Sequence, residues 1–257
     1  VSGVNMPAII TKDFRVHNAE QFKESFGEAA DTYYLAIGRP QAFADNQAFN
    51  DGTDASPPTP VDDVGQVEYY AYDDFLSAKR ITETDVSIAI PRRNWATGTV
   101  YDYYRHDYGD INSAGSTITS DSGASSLYDA TFYVMNSTFD VYKCIDNNSG
   151  AASTVEPSGN KSTSVFSTGD SYKWKYMYSL SASEQANFLS TDFMHVSTES
   201  SDFSTTGGAI EHVKITDGGS SGSDGTYTGV AIRGDGSGGE CTVVVSSNAV
   251  SSVTITT

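Results

Sequence analysis

The sequence predicts a mainly β protein, and three observations carry that expectation: its composition, one run of strict alternation, and the shortness of its helical segments. Sixteen Tyr and 12 Phe favour strands, while 23 Gly and a Ser plus Thr content close to a quarter favour turns and a polar, uncharged surface. The chain is long enough to bury a core, since about 70–75% of the unfolded surface is removed from water at this size.

Taken in order, residues 8–14 read as a strand. Asn18 with Gln21 forms a capping-box pattern, with Phe22 and Phe26 on one face and Gly27 as a stop, which predicts a helix over 19–26. Tyr33, Tyr34, Leu35, Ala36 and Ile37 then read as a strand ending at Gly38-Arg39-Pro40. Residues 41–64 carry Pro57-Pro58-Thr59-Pro60, which denies both helix and ladder bonds and predicts a loop. Residues 66–80 fit a helical period through Val67, Tyr70, Ala71, Phe75 and Ala78, and 86–90 read as a strand.

Residues 109–126 thin to Ser, Thr, Gly and Asp and predict a mobile loop. Strands over 130–135 and 139–145 flank an Asn136-Ser137 turn, and a polar loop runs from 146 to 169. Tyr172, Trp174, Tyr176 and Tyr178 alternate with Lys173, Lys175, Met177 and Ser179, which puts four aromatics on one sheet face. Ser181 with Glu184 makes a second capping box opening a helix to about 189, and 193–196 extend again. From Gly207 onward, strands over 209–216, 227–233, 241–246 and 250–256 alternate with Gly-Ser-Asp turns. This reads as a separate glycine-rich β module that is expected to continue past Thr257.

Fifteen Lys plus Arg against 33 Asp plus Glu leave a formal charge of −18, which repels phosphate backbones and anionic lipid. Nucleic acid and membranes are therefore not expected partners. No stretch approaches the ~20 apolar residues of a membrane span, and residues 1–10 lack the pattern of a signal peptide. Two cysteines, Cys144 and Cys241, are too few for a disulfide framework or zinc site and read as buried apolar residues.

The chemical motifs are weak. Gly218, Ser220 and Gly222 have the spacing of a nucleophile elbow but lack the helix that should follow. Gly234, Gly236 and Gly239 have dinucleotide-loop spacing but lead into a strand. Asp217, Asp224 and Asp235 could hold calcium, yet no loop has the full ligand spacing. His106 with Asp107 and Asp110 is the one local histidine cluster, and it reads more readily as a solvated turn than as a base or metal site; Asp62-Asp63 and Asp73-Asp74 read as solvated acids. No cofactor is expected. Tyr101, Tyr103, Tyr104 and Tyr108 around Arg105 suit core packing, a protein interface or a sugar-stacking platform.

Six segments resemble, in order and spacing, the gene-eight baseplate wedge subunits of T-even-type contractile-tailed bacteriophages. They are Ala8-Ile9-Ile10-Thr11-Lys12-Asp13-Phe14-Arg15, Ala36-Ile37-Gly38-Arg39-Pro40, Pro57-Pro58-Thr59-Pro60, Ala89-Ile90-Pro91-Arg92-Arg93-Asn94-Trp95, Val141-Tyr142-Lys143-Cys144-Ile145 and Gly169-Asp170-Ser171-Tyr172-Lys173-Trp174-Lys175-Tyr176. The resemblance covers about residues 8–197. It implies a layered β-sandwich with short helices on inserted loops, a homodimer within the wedge, other wedge proteins as partners, no enzymatic activity, and a place in the virion tail after synthesis in the bacterial host cytoplasm. Beyond about residue 200 the glycine-rich module departs from it.

The expected organisation is therefore a wedge-like sandwich over 1–206 and the glycine- and serine-rich module over 207–257. The expected function is structural, through interfaces that hold during assembly and rearrange during contraction. Arg92, Arg93, Trp95, Tyr101, Tyr103, Tyr104, Tyr172, Trp174 and Tyr176 are the candidate interface or structural residues. The two arginines are expected to fix a turn or a subunit contact, pairing with carboxylates or stacking on Trp95. The alternative function is a carbohydrate-binding or adhesin-like module of a phage fibre. A β-sandwich hydrolase resting on the acids and His106 is a weaker third.

Overall fold

The structure, a computed structural model, describes residues 12–28, 30–38, 53, 55–56, 75–112, 114–162, 164–197, 210–234 and 236–256. It divides into two compact units, Val1–Ile88 and Ala89–Thr257, each described here by itself. The expected boundary at 206/207 lies outside the described residues.

In the first unit, α1 (Lys12–Ser25) begins before the capping-box pattern at Asn18 and takes in Lys12, Asp13 and Phe14, which the sequence assigned to a strand. Residues 8–11 lie outside the description. An Asn inside a helix costs only a few tenths to about 0.7 kcal/mol, too little to set a boundary there. Strand β1 (Tyr33–Gly38) forms as expected. Its antiparallel partner β2 (Phe75–Ile81) falls where a helix was expected, and residues 66–74 of that segment lie outside the description. Phe75 and Ala78 suit either period, and pairing with β1 decides for the strand. A single 3-10 turn, Glu83–Asp85, follows. The remaining loop over 41–64 is described only at 53, 55 and 56, where Thr53 bridges Ser56.

The second unit is built on a four-stranded antiparallel sheet in the order β4–β5–β7–β6: β4 (Tyr133–Met135), β5 (Asp140–Asp146), β6 (Phe166–Ser167) and β7 (Lys173–Ser179). Val134 and Met135 are adjacent on β4 and so point to opposite faces, and each belongs to a different buried cluster. One face gathers Tyr101, Val134, Tyr142, Cys144, Tyr172 and Trp174. The other gathers Met135, Val141, Tyr178, Leu180 and Met194. Bulges in the β5–β7 pairing set Tyr142 opposite Tyr176 but its neighbour Val141 opposite Tyr178, which divides the expected aromatic row between the two clusters.

The second cluster is closed by a two-stranded sheet of β3 (Ala89–Pro91) and β8 (Phe193–His195), with Ile90 opposite Met194. Strand β3 starts three residues later than the expected strand over 86–90. Helix α2 (Ala182–Phe188) carries its capping box as read, with Ser181 accepting from the Glu184 amide and the Glu184 carboxylate accepting from the Ser181 amide. The molecule is thus mainly β, with packed antiparallel layers and two short α-helices among the described residues.

A three-stranded sheet of β9 (Gly225–Ala231), β10 (Glu240–Ser246) and β11 (Ala249–Ile255) forms the C-terminal part, in the order β11–β10–β9. The strand expected over 209–216 does not form where it is described. Residues 210–216 instead cross the aromatic sheet as an irregular strap held by charged side chains. The described residues of 109–126 form no strand, but successive turns link them, with the Gly109 amide bonded to the Ile118 carbonyl and the Ile118 amide to the Asp110 carbonyl.

Candidate protein–protein interface

Pro91 fixes its own φ and leaves Arg92 and Arg93 on the chain that emerges from β3. The Arg92 amide donates to the Asp192 carbonyl (2.7 Å), and its guanidinium donates to the Ser190 carbonyl (2.8 Å) and to Asn94 Oδ1 (3.1 Å). Arg93 donates to the carbonyls of Tyr128 (2.7 Å) and Ala130, with its guanidinium carbon 5.0 Å from the Tyr133 ring centre. The Arg93 fork is thus filled by two main-chain oxygens, and the Arg92 fork by one main-chain oxygen and the Asn94 side chain. Among the described residues neither pairs with a carboxylate or stacks on Trp95, and together they tie three chain segments to the edge of β3.

The two most specific motifs meet at Ser153. Trp95 Nε1 donates to Ser153 Oγ (3.1 Å), and that hydroxyl donates to Asp170 Oδ2 (2.9 Å). The same Asp170 oxygen accepts the amides of Thr154 (2.8 Å) and Val155 (3.0 Å), while Oδ1 accepts from Thr168. Burial pushes the Asp170 carboxyl up, but these hydrogen bonds outweigh it and hold it at about 2.

Tyr172, two residues on, lies wholly buried with its ring stacked on Trp174 at 5.5 Å and 17°. Its hydroxyl donates to the Ala151 carbonyl and accepts the Tyr101 amide (3.3 Å). Tyr101 is 3% exposed and meets Trp174 edge-on. Tyr101, Tyr172 and Trp174 are therefore core residues with no surface to offer a neighbour.

Tyr103, Tyr104 and Tyr176 are half-buried. Lys214 lies 4.6 Å over the Tyr103 ring and Lys143 lies 3.5 Å over that of Tyr104, so both rings meet a cation of this chain where a sugar platform would need an open face. The Tyr176 hydroxyl pairs with Ser179 Oγ at 2.8 Å.

Sequence reasoning missed the polar residues that bind these segments together. Asp102 is fully buried and accepts from Ser122 Oγ (2.7 Å), the Ser122 amide (2.8 Å), the Thr131 amide (2.7 Å) and Thr131 Oγ1 (3.1 Å). Asp146 accepts Lys214 Nζ at 2.7 Å and has His212 Nε2 at 3.6 Å, which clips the strap to the end of β5. Burial pushes the Asp146 carboxyl up, and His212 and Lys214 outweigh it, holding it well below the carboxylate range. Nothing in the local sequence marks Ser153, Asp102 or Asp146, because each acts on residues distant in the chain.

The weaker motifs resolve into structure. A Cβ on Gly218 would lie 2.6 Å from the Val250 carbonyl oxygen, and one on Gly222 would lie 2.8 Å from Val245, so both glycines permit close approach to the β10–β11 hairpin. Gly234, Gly236 and Gly239 belong to the β9–β10 connection, of which Asp235 lies outside the description. Asp217 caps the Gly219 amide and Asp224 the Asn248 amide. Asp107 forms a double hydrogen bond with Arg105, beside an exposed His106. Cys144 and Cys241 are buried free thiols. Asp62-Asp63 and Asp73-Asp74 lie outside the described residues. Among those residues no group of acids, histidines and cysteines has metal-site geometry, and no helix is long and apolar enough to cross a membrane.

Surface that a neighbour could grip is concentrated elsewhere. On the β1–β2 sheet Tyr34 (65% exposed), Leu35, Ile37, Phe75 and Leu76 (59% exposed) all face solvent. Only Tyr33 and Ile81, its register partner at the far end, are half-buried. A model of the family described as Bacteriophage T4, Gp8 matches residues 8–156, more than half of the chain. No curated protein matches it.

Proposed function

The chain belongs to the phage Gp8 family, and from that premise we propose that it is a baseplate wedge subunit that works as a homodimer, gripping neighbouring wedge proteins during assembly and yielding when the tail contracts. Its coarse role follows from the family: a structural protein of the phage baseplate, carried in the virion tail and in contact with other baseplate proteins. Synthesis in the host cytoplasm before incorporation fits that role.

The family match carries the reading, and the placement of the motif residues supports it. Arg92, Arg93, Trp95, Tyr101, Tyr172 and Trp174 hold a rigid scaffold, leaving the grip to exposed apolar residues. Contraction then requires only a difference in contact free energy between two arrangements of the wedge. Light scattering of the purified chain, alone and mixed with the other wedge proteins of the same phage, tests the proposal. A mass of two chains and co-migration with at least one wedge protein are expected. A strict monomer that binds none of them overturns it.

A further inference from the structure

The C-terminal sheet β9–β11 buries Cys241 and Val245 of β10, and none of its residues belongs to either buried cluster of the aromatic sheet. The strap over 210–216 joins the two sheets. Between described residues, every hydrogen bond and ion pair from 210–256 to the rest of the second unit passes through Glu211, His212 or Lys214. Glu211 pairs with Lys175 of β7 at 2.5 Å. Lys214 reaches Asp146 at 2.7 Å and Asn147 Oδ1 at 3.4 Å, with its ammonium over the Tyr103 ring. His212 Nε2 stands 3.6 Å from the second Asp146 oxygen, beyond hydrogen-bond reach, and is buried with no hydrogen-bond partner among the described residues. No main-chain hydrogen bond holds 210–216 among those residues, and Val213 and Ile215 stand outside both buried clusters. The strap is therefore attached by charge. The side chains of Lys175, Lys214 and Asp146 are no more than 20% exposed, so these pairs hold more firmly than pairs in open water.

We propose that residues 210–216 are a charge-held latch, which releases the C-terminal sheet from the aromatic sheet while both sheets stay folded. A segment with few buried apolar contacts opens at a lower free energy than the fold around it unfolds. Opening returns Glu211, Lys214 and their partners to water, where salt screens them, so ionic strength shifts the balance toward the open arrangement. Asp146 is the keystone, because one carboxylate faces both Lys214 and His212. The inference concerns the chain alone and stands apart from the wedge-subunit reading.

Trypsin tests the latch, because a peptide bond must lift off the surface to be cut and Lys214 and Arg233 are the only Lys or Arg after Lys175. In the full chain carrying Arg233→Gln, cleavage after Lys214 is followed by mass spectrometry and scaled to that of a free peptide of the same sequence under the same conditions. At low salt it is expected to be about tenfold or more slower than in the peptide. It is expected to rise severalfold at ~1 M salt, where the screening length is ~3 Å. At low salt Asp146→Asn is expected to raise it about tenfold, and Glu211→Gln severalfold, while cuts after Lys143 and Lys175 in the paired strands stay slow. Cleavage after Lys214 as fast as in the peptide overturns the latch, as does a rate that neither salt nor Asp146→Asn changes. So does a rise that comes only together with cuts after Lys143 and Lys175, since the strap then opens by unfolding. Should Asp146→Asn loosen β5 itself, Glu211→Gln decides by the same criteria.

Discussion

Two buried tyrosines of one core cluster differ in what their hydroxyls do. Tyr142 has a buried hydroxyl with no hydrogen-bond partner, whereas that of Tyr172 joins Ala151 to Tyr101. Burial pushes both phenols up to about 12, so both are neutral at any working pH. Removing an unpaired buried polar group relieves a desolvation penalty, while removing a paired one strands its partners. Tyr142→Phe is therefore expected to leave stability unchanged or raise it by up to ~1 kcal/mol, and Tyr172→Phe to lower it by ~1–3 kcal/mol. Urea denaturation of the two variants separates them, and equal losses would contradict this account. The residue scale is also where sequence reading was blindest: Tyr142 and Tyr172 are the same letter in similar aromatic runs, and only the fold distinguishes them.

Among the elements, two written in local pattern formed where expected, although the capping-box pattern at Asn18 did not set the start of α1. Strand β7 follows from the alternation of Tyr172, Trp174, Tyr176 and Tyr178, and α2 from Ser181 and Glu184, because a two-residue period and a capping box act within a few residues. Strand β2 did not follow, since its apolar spacing suits two periods and its partner β1 lies some forty residues earlier. The β10–β11 hairpin turns through Ser247 (φ 54°) and Asn248 (φ 65°), a two-residue loop with both centres left-handed. Asn-Gly suits that geometry best, so Ser247→Asn combined with Asn248→Gly is expected to stabilise by ~0.5–1 kcal/mol. Gly222→Ala is expected to destabilise, since its methyl would press on Val245. Melting temperatures should move in opposite directions.

For the whole molecule, acid is the natural probe, because its scaffold rests on carboxylates held ionised. Hydrogen bonds and cations outweigh burial at Asp140, Asp146 and Asp170 and lower all three. A lowered folded value means stabilisation that is complete above the unfolded value and lost as pH falls through the folded one. For Asp170 that window runs from the ordinary 3.8 down to about 2. The melting temperature is expected to fall steeply below pH 4, and Asp170→Asn, less stable at pH 7, is expected to fall less over that window. Calorimetry across pH 2–7 checks both, and parallel curves would remove Asp170 from the explanation.

By itself the sequence determined the β class, the aromatic strand, the capped second helix, the net negative charge and, through six ordered segments, the family, because each depends on composition or on neighbours within a few residues. The tertiary structure alone decided that Trp95 and Asp170 meet at Ser153, that Arg93 is taken up by main-chain carbonyls and Arg92 by a carbonyl and Asn94, and that exposed apolar residues gather on the β1–β2 sheet. The reason is physical: a hydrogen bond spanning 58 residues, as from Trp95 to Ser153, leaves no periodicity in the chain. Whether an aromatic residue is core or contact depends on what the fold lays over it.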